Sequence, residues 1–286
     1  MARSSRKSKA TSAEQSKAGR NLPAAIAVAI LLLGAVGSSL YFRKEAFVGL
    51  AVVAICAGVW ELAQAFKRRE ILIPILPLWV GTAGMLVSTY ISGAEALMVS
   101  FVLTVGGLVI WRVIDGGGIN AVRDCAAGLF VAAYLPLMAG FVMLMLAEEN
   151  GALQVAIFIL LAVANDTGGY LAGVRFGKHP LAPSVSPKKS WEGLFGSFVL
   201  TMMVGIVGTF FLGVNPIVGV MLGFLTPITA TVGDLAESLI KRDLQLKDMG
   251  RLLPGHGGVL DRIDSLLLTA PFVYLLLSSA PTLPGM

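Results

Sequence analysis

The sequence has little charge and very few cysteines and histidines. Only 14% of its 286 residues are charged, whereas soluble globular domains carry about 25% charged residues. This shortage excludes an ordinary soluble domain. Cys56 and Cys125 lie in or beside apolar runs, and neither has a second cysteine or a histidine at ligand spacing. We therefore interpret both as packing residues and expect no zinc site.

Long apolar runs take the place of the missing charge. The composition is 56% hydrophobic and the mean hydropathy is +0.81. A helix needs about 20 consecutive apolar residues to cross a bilayer, and such runs recur along nearly the whole chain. We predict an all-α fold, a polytopic integral membrane helical bundle with about nine transmembrane helices. The predicted spans are residues 22–42, 46–66, 71–90, 93–113, 125–147, 151–173, 190–213, 215–233 and 264–280.

The basic residues predict the orientation of this bundle, because cytoplasmic loops carry an excess of Lys and Arg. With the N-terminal tail in the cytoplasm and the spans alternating, all 22 Lys and Arg residues except Arg43 and Lys44 fall on that side. Topology thus explains the net charge of +5, and we expect no nucleic acid partner. We predict a protein of the inner or plasma membrane whose N-terminus and active site are cytoplasmic.

Composition divides the chain into three regions. Residues 1–21 are polar and rich in Ser, Ala and Lys, which predicts a disordered basic cytoplasmic tail. Residues 22–150 form the N-terminal transmembrane helices. Residues 151–286 contain the long polar connections, so we predict that this C-terminal transmembrane region carries the cytoplasmic active-site loops.

Two short motifs in the C-terminal region are candidates for substrate binding. Asn165 and Asp166 end the sixth predicted span, and an ionisable residue at such a depth commonly marks a function. Lys188 and Lys189 precede the seventh span, and a helix N-terminus favours phosphate. The alternatives are an aspartate that only caps its helix and lysines that only set the topology. Arg175, between the two motifs, is a further candidate.

The densest polar segment runs from residue 234 to residue 265. If the eighth helix continues into it, four polar residues share one helix face, since they recur at i, i+3, i+4 and i+7. These are Asp234, Glu237, Ser238 and Lys241. Asp261 and Asp264 share a face at the start of the ninth helix. Carboxylate oxygens with room for water and phosphate are typical of a Mg²⁺ site. The alternative is a solvated, salt-bridged hairpin.

Basic residues and glycines alternate with these acids. Basic side chains that could neutralise a triphosphate are Lys241, Arg242, Lys247, Arg251 and Arg262. Gly255, Gly257 and Gly258 would let backbone N–H groups approach an anion closely. His256 has two interpretations that remain open: it is a general base, or it donates a hydrogen bond to phosphate or holds the turn.

The segment contains Ser238-x-x-Lys241-Arg242-x4-Lys247-Asp248-x5-Pro254-Gly255-His256-Gly257-Gly258-x2-Asp261-Arg262-x-Asp264. This pattern resembles the hallmark of the phosphatidate cytidylyltransferases, the CDP-diacylglycerol synthases. The motifs at 165–167 and 186–193 resemble the same family, so the similarity covers about the C-terminal half of the chain. The N-terminal half resembles the family only as membrane helices.

The resemblance implies that CTP and phosphatidic acid react to give CDP-diacylglycerol and pyrophosphate. It implies a homodimer among membrane lipids, a requirement for Mg²⁺, and K⁺ as a cation that can share the site. The implied metal ligands are Asp234, Asp261 and Asp264. The predicted catalytic residues are Lys241, Arg242, Lys247, Asp248, His256 and Arg262. The predicted substrate-binding residues are Asn165, Asp166, Arg175, Lys188, Lys189, Ser238, Gly257 and Gly258.

Other functions remain open from the residues alone. A CTP-dependent lipid kinase or a related transferase would use similar carboxylates and basic groups. A membrane transporter would instead place polar residues near the middle of several spans. Glu61 is the only unpaired acid well inside an early predicted span, and its role is not assigned.

Overall fold

The chain is almost wholly helical in the computed structural model, which describes residues 22–250, 252–253 and 257–280. The predicted tail at 1–21 and His256 lie outside these described residues. The helices are α1 (Leu22–Phe42), α2 (Lys44–Lys67), α3 (Ile75–Ile114), α4 (Ala121–Ala132), α5 (Met138–Ala147), α6 (Gly151–Phe176), α7 (Trp191–Leu212), α8 (Pro216–Asp243) and α9 (Leu260–Ser278). Two short strands, β1 (Pro180–Ala182) and β2 (Ser186–Ser190), lie between α6 and α7.

Within the described residues, six helical segments are long and apolar enough to cross a membrane. They are α2, α3, the continuous segment Ala121–Ala147, α6, α7 and α8. The segment Ala121–Ala147 contains a π-helical turn, Ala133–Leu137, around Pro136, whose missing N–H group and bulky ring disturb regular α-helical bonding. The prediction of an all-α membrane bundle is confirmed, and the predicted count of about nine spans is approximate.

The long helix α3 is a hairpin of two helical arms. Gly93 interrupts it with φ of 78° and ψ of −160°, a conformation that glycine adopts readily. The arms then pack against each other, because the Oγ atoms of Ser88 and Ser100 are 2.9 Å apart. A Cβ atom added to Gly81 would lie only 2.3 Å from the Thr104 side chain. The predicted boundary between the third and fourth spans coincides with this turn.

The structure differs from the prediction beside the polar segments. Helix α8 continues to Asp243, ten residues beyond the predicted end, so the polar face at 234–241 is helical. The connection after α6 contains an antiparallel pairing, with Pro180 opposite Ser190 and Ala182 opposite Ser186. Prolines in this connection oppose helix and favour extended backbone at the preceding residue.

Hydrogen bonds gather the predicted outer and inner connections at opposite ends of the bundle. At one end, Lys44 Nζ donates to the carbonyl of Glu148 at 2.6 Å. At the other end, Arg112 forms an ion pair of 2.9 Å with buried Asp124, and Arg69 donates to the carbonyl of Asp243. We call the second end the basic end, and it carries every polar motif named above.

Glycines let α6, α7 and α8 approach at backbone distance. A Cβ atom on Gly168 would lie 2.5 Å from the Gly196 carbonyl oxygen, and one on Gly205 would lie 2.3 Å from that of Gly219. Small residues allow such close packing between membrane helices. Ser197 Oγ also donates to the Asn165 carbonyl at 2.6 Å. The close contact fixes α6 against α7 where the first polar motif lies.

We expect Gly196→Ala to destabilise the bundle. Its Cβ atom would meet Ala172 Cβ at 2.3 Å, and such overpacking costs about 1–3 kcal/mol. Gly106→Ala is the matched control, because nothing lies within 4 Å of the added Cβ atom. Thermal unfolding in detergent should show a lower midpoint for Gly196→Ala alone. Equal midpoints for both variants would contradict the close α6–α7 contact.

Candidate active site

The polar motifs meet at the basic end, where α8 crosses α9. Gly233 makes this crossing possible, because a Cβ atom there would lie 2.7 Å from the Asp264 carbonyl oxygen. The close approach directs the last turns of α8 toward the first turns of α9. The C-terminal part of α6 and strand β2 complete the site from the other side.

A cavity of about 480 Å³, which we call the acidic cavity, lies at this crossing. Its lining residues are Asp166, Lys189, Asp234, Glu237, Ser238, Lys241, Asp248, Asp261, Arg262, Asp264 and Ser265. Six of these are carboxylic acids and three are basic. The excess of acids would repel a triphosphate unless cations were also bound.

A second cavity of about 220 Å³, the lysine cavity, adjoins the first. Lys188, Lys189 and Ser190 of β2 line it opposite Asn165 and Asp166 of α6. The two cavities share Asp166, Lys189 and Asp234. An ion pair between Lys189 Nζ and Asp234 Oδ2 stands at their junction. Ser190 accepts a hydrogen bond from Gly193 N at 3.1 Å, so it also caps α7.

Lys241 joins the two acidic helix ends. Its Nζ atom lies 2.6 Å from Glu237 Oε2 on the same helix and 3.1 Å from Asp261 Oδ1 on α9. The side chain of Glu237 is only 2% exposed and that of Asp261 only 8%. Buried carboxylates need such a charged partner, because burial without one is costly. Lys241 therefore stabilises both acids at once.

Asp261 precedes the apolar part of α9 and holds the loop before it. Its Oδ2 atom accepts hydrogen bonds from Gly258 N at 2.8 Å and Met249 N at 3.2 Å. Burial acts to raise the pKa of this carboxyl group, but the Gly258 hydrogen bond and the Lys241 ammonium outweigh it. The pKa of Asp261 therefore lies below its ordinary value, so the group stays ionised near neutral pH.

The remaining acids provide the oxygen atoms that could hold a cation. Asp264 is 8% exposed, and Glu237 Oε1 is buried with no hydrogen-bond partner in the described part of the chain. Among the described residues, no three His, Cys, Asp or Glu side chains form a ready-made metal group. Magnesium sites commonly use one or two carboxylates together with water and substrate phosphates. The donor chemistry fits such a site.

Comparison with known proteins decides the family. Residues 23–280 match the sequence profile of the cytidylyltransferase family. The chain belongs to this family. It is 40% identical to a phosphatidate cytidylyltransferase of Mycobacterium leprae, over 93% of this chain and 90% of the relative. It is 32% identical to a phosphatidate cytidylyltransferase of Haemophilus influenzae, over 85% of this chain and 94% of the relative.

The predicted family resemblance is therefore confirmed, and the chain is a membrane nucleotidyltransferase. Cytidylyltransferase activity generally needs a divalent metal ion. The acidic cavity is the place in the described structure where carboxylates and basic groups converge on the hallmark segment. It is consequently the candidate active site of this cytidylyltransferase.

Several predicted site residues do not line either cavity. Lys247 is exposed, and Arg242 donates through Nε to the Val185 carbonyl. The guanidinium of Arg175 lies over the Phe176 ring, 5.9 Å from its centroid. Each of these side chains would have to move to contact a substrate in the cavities, so their predicted roles remain predictions.

Of the predicted glycines, Gly257 and Gly258 lie in the described part of the chain, and neither lines the cavities. Gly257 has φ of +85°, where most side chains would strain the backbone. Its carbonyl accepts a hydrogen bond from Leu253 N at 3.0 Å. The anion that Gly258 N approaches is Asp261 of the protein itself. Gly258 N thus bonds a carboxylate of the chain, and the predicted approach of these glycines to a substrate anion stays a prediction.

The predicted site residues omit two acids that the structure brings to the site or directly behind it. Glu237 lies inside the acidic cavity; helical spacing had placed it on the polar face with Asp234, but no role was predicted for it. Glu61 Oε2 accepts a hydrogen bond from Leu260 N at 3.0 Å. Its isolation within an apolar run was the available signal, but its partner lies 199 residues away.

We expect Lys241→Met to destabilise the cytidylyltransferase, because methionine fills similar space but removes the ammonium group that pairs with the buried Glu237 and Asp261 side chains. Breaking a buried ion pair costs about 3–5 kcal/mol. Because the Lys241 side chain is 19% exposed, we expect a loss of stability at or below the lower end of this range. Lys67→Met is the control, since Lys67 is exposed at the end of α2. A clear drop in thermal midpoint for Lys241→Met alone is expected. Unchanged stability would mean that the pair is not maintained in solution.

Proposed function

We propose that the chain is a phosphatidate cytidylyltransferase, which forms CDP-diacylglycerol and pyrophosphate from CTP and phosphatidic acid. The observation that carries this proposal is the pair of adjoining cavities at the basic end of a membrane bundle. They offer lysines for phosphate groups and carboxylates for a cation, and the ends of membrane helices surround them. A lipid head group and a nucleotide triphosphate can meet there while the acyl chains stay in the bilayer.

The chemistry requires little proton transfer from the protein. A phosphate monoester is an anionic nucleophile near neutral pH, and its oxygen attacks the α-phosphorus of CTP in line. The bond from this phosphorus to the β-phosphate bridging oxygen breaks, and pyrophosphate leaves. Lys188 and Lys189, which line the lysine cavity with Asp166, would hold phosphate groups there. Positioning and charge neutralisation are the main sources of rate in such transfers.

We assign Mg²⁺ to the acidic cavity, with Asp234 and Asp264 as its preferred ligands and Glu237 beside them. Both oxygens of Asp261 accept hydrogen bonds from the chain, so this third predicted ligand also serves the loop. Bound Mg²⁺ would neutralise charge on the reacting phosphates. The family resemblance extends the proposal to K⁺ as a second cation. Omitting each cation in turn from the assay tests both.

We further propose that the basic end faces the cytoplasm. All Lys and Arg residues except Arg43 and Lys44 belong to this side when the spans alternate, and such asymmetry sets orientation. CTP would then reach the site from the cytoplasm and phosphatidic acid from the inner leaflet. The resemblance also extends the proposal to a homodimer, whose mass light scattering in detergent would measure.

Purified protein with phosphatidic acid micelles, CTP, Mg²⁺ and K⁺ is expected to form a CDP-lipid and pyrophosphate in equal amounts. The identity of the released product separates the alternatives. A CTP-dependent kinase would release CDP, and a transporter would release neither product. Folded protein that forms no CDP-lipid under these conditions would refute the proposed function.

Asp264→Asn is expected to reduce turnover at least about 100-fold, since Lewis-acid stabilisation is worth several kcal/mol. The side chain keeps its shape, so the fold should persist. Asp243→Asn, an exposed acid at the end of α8, should retain the rate of the unchanged enzyme. Full activity of Asp264→Asn at saturating and limiting Mg²⁺ would place the metal elsewhere.

A further inference from the structure

Glu61 makes an unusual long-range contact with the active-site hairpin. It lies in α2, within the N-terminal half of the chain, and is only 1% exposed. Its Oε2 atom accepts a hydrogen bond of 3.0 Å from Leu260 N, the first residue of α9. No residue of either cavity lining belongs to α2. Glu61 therefore contacts the helix that carries site residues without lining either cavity itself.

This contact supplies the cap that α9 lacks locally. The first N–H groups of a helix have no partner within the helix, and a negative charge near them is favourable. The residue before α9, Val259, is αR in conformation and its side chain makes no capping hydrogen bond. Glu61 occupies that role from another helix. The hydrogen bond ties Glu61 to the helix turn that carries Asp261 and leads to Asp264.

Two glycines enclose the same carboxylate. A Cβ atom on Gly250 would lie 1.9 Å from Glu61 Oε1, and one on Gly258 would lie 2.6 Å from Oε2. A methyl group at Gly250 would therefore displace the Glu61 carboxyl group, whereas one at Gly258 would also lie 2.8 Å from the Gly250 backbone nitrogen. Glu61 thus contacts Gly250 and Gly258, while Asp261 accepts hydrogen bonds from Met249 N and Gly258 N.

We propose that Glu61 is a positioning residue for cytidylyl transfer. It holds the start of α9 together with Gly250 and Gly258, so that the acids of α9 face Asp234 and Glu237 of α8. Glu61 does not touch the reacting groups. The inference rests on the proposed function, and it assigns a purpose to the lone acid of an early apolar span and to Gly250 and Gly258.

The test compares Glu61→Ala and Glu61→Gln in the CDP-lipid assay, with Glu95→Ala, an exposed acid in α3, as the control. Glu61→Ala should lower kcat by about 100-fold, since misplacement of about 1 Å has effects of this size. It should also raise the Mg²⁺ concentration for half-maximal rate about tenfold. Glu61→Gln should recover most of the rate, because its amide oxygen can accept the Leu260 hydrogen bond.

A double-variant cycle tests the contact itself. Gly250→Ala should reduce kcat in the unchanged enzyme, because its new methyl group displaces the carboxylate. The same change should cost much less in a Glu61→Ala background, where the space is free, so the effects should not multiply. If Glu61→Ala does not fold, Gly250→Ala is compared with Glu61→Gln instead. The inference is refuted if Gly250→Ala changes neither the rate nor the Mg²⁺ dependence.

The outcomes separate the two proposals. If the unchanged enzyme makes no CDP-lipid, the proposed function fails. If it turns over and Glu61→Ala matches it, only the positioning inference fails. Glu61→Ala could also lower the rate only in proportion to the loss of folded protein. If in that case the Mg²⁺ dependence is unchanged and Glu61→Gln does not restore the rate, the role of Glu61 is purely structural and the inference is overturned.

Discussion

The structure of the site depends on how buried carboxyl groups are paired with lysines at the ends of membrane helices. Lys241 lies between Glu237 and Asp261, and Lys189 pairs with Asp234. Without these pairs the acids would face one another in a poorly solvated space, where like charges repel strongly. The pairs hold α8, α9 and β2 together, and they leave an acidic excess that suits a cation with phosphates.

Close packing by glycines makes this arrangement possible. Gly233 brings α8 onto α9, and Gly168 and Gly196 bring α6 onto α7. In a bilayer there is little hydrophobic driving force between helices, so contact at backbone distance is an important source of stability. The same feature that stabilises the bundle therefore also sets the spacing of the reactive side chains. Glu61 extends the arrangement to the N-terminal half through its contact with Leu260.

Much of the fold was predictable, because lipid imposes a simple rule on sequence. Apolar runs of about 20 residues mark helices, and the turn at Gly93 falls where two predicted spans meet. The hairpin of β1 and β2 was not predicted. Its two short strands pair through backbone hydrogen bonds, and these leave no periodic hydrophobic pattern in the sequence. In the site, helical spacing grouped Asp234 with Lys241 correctly, but it did not reveal that Arg242 points to Val185.

The sequence by itself determined the membrane bundle, the asymmetry of its charge and the family to which the hallmark segment belongs. These properties follow from composition and from local order along the chain, which do not require the chain to be folded. Only the tertiary structure decided which acids share one cavity and why Glu61 is buried. Those facts depend on contacts between residues far apart in sequence, such as Glu61 and Leu260, and packing in three dimensions alone selects them.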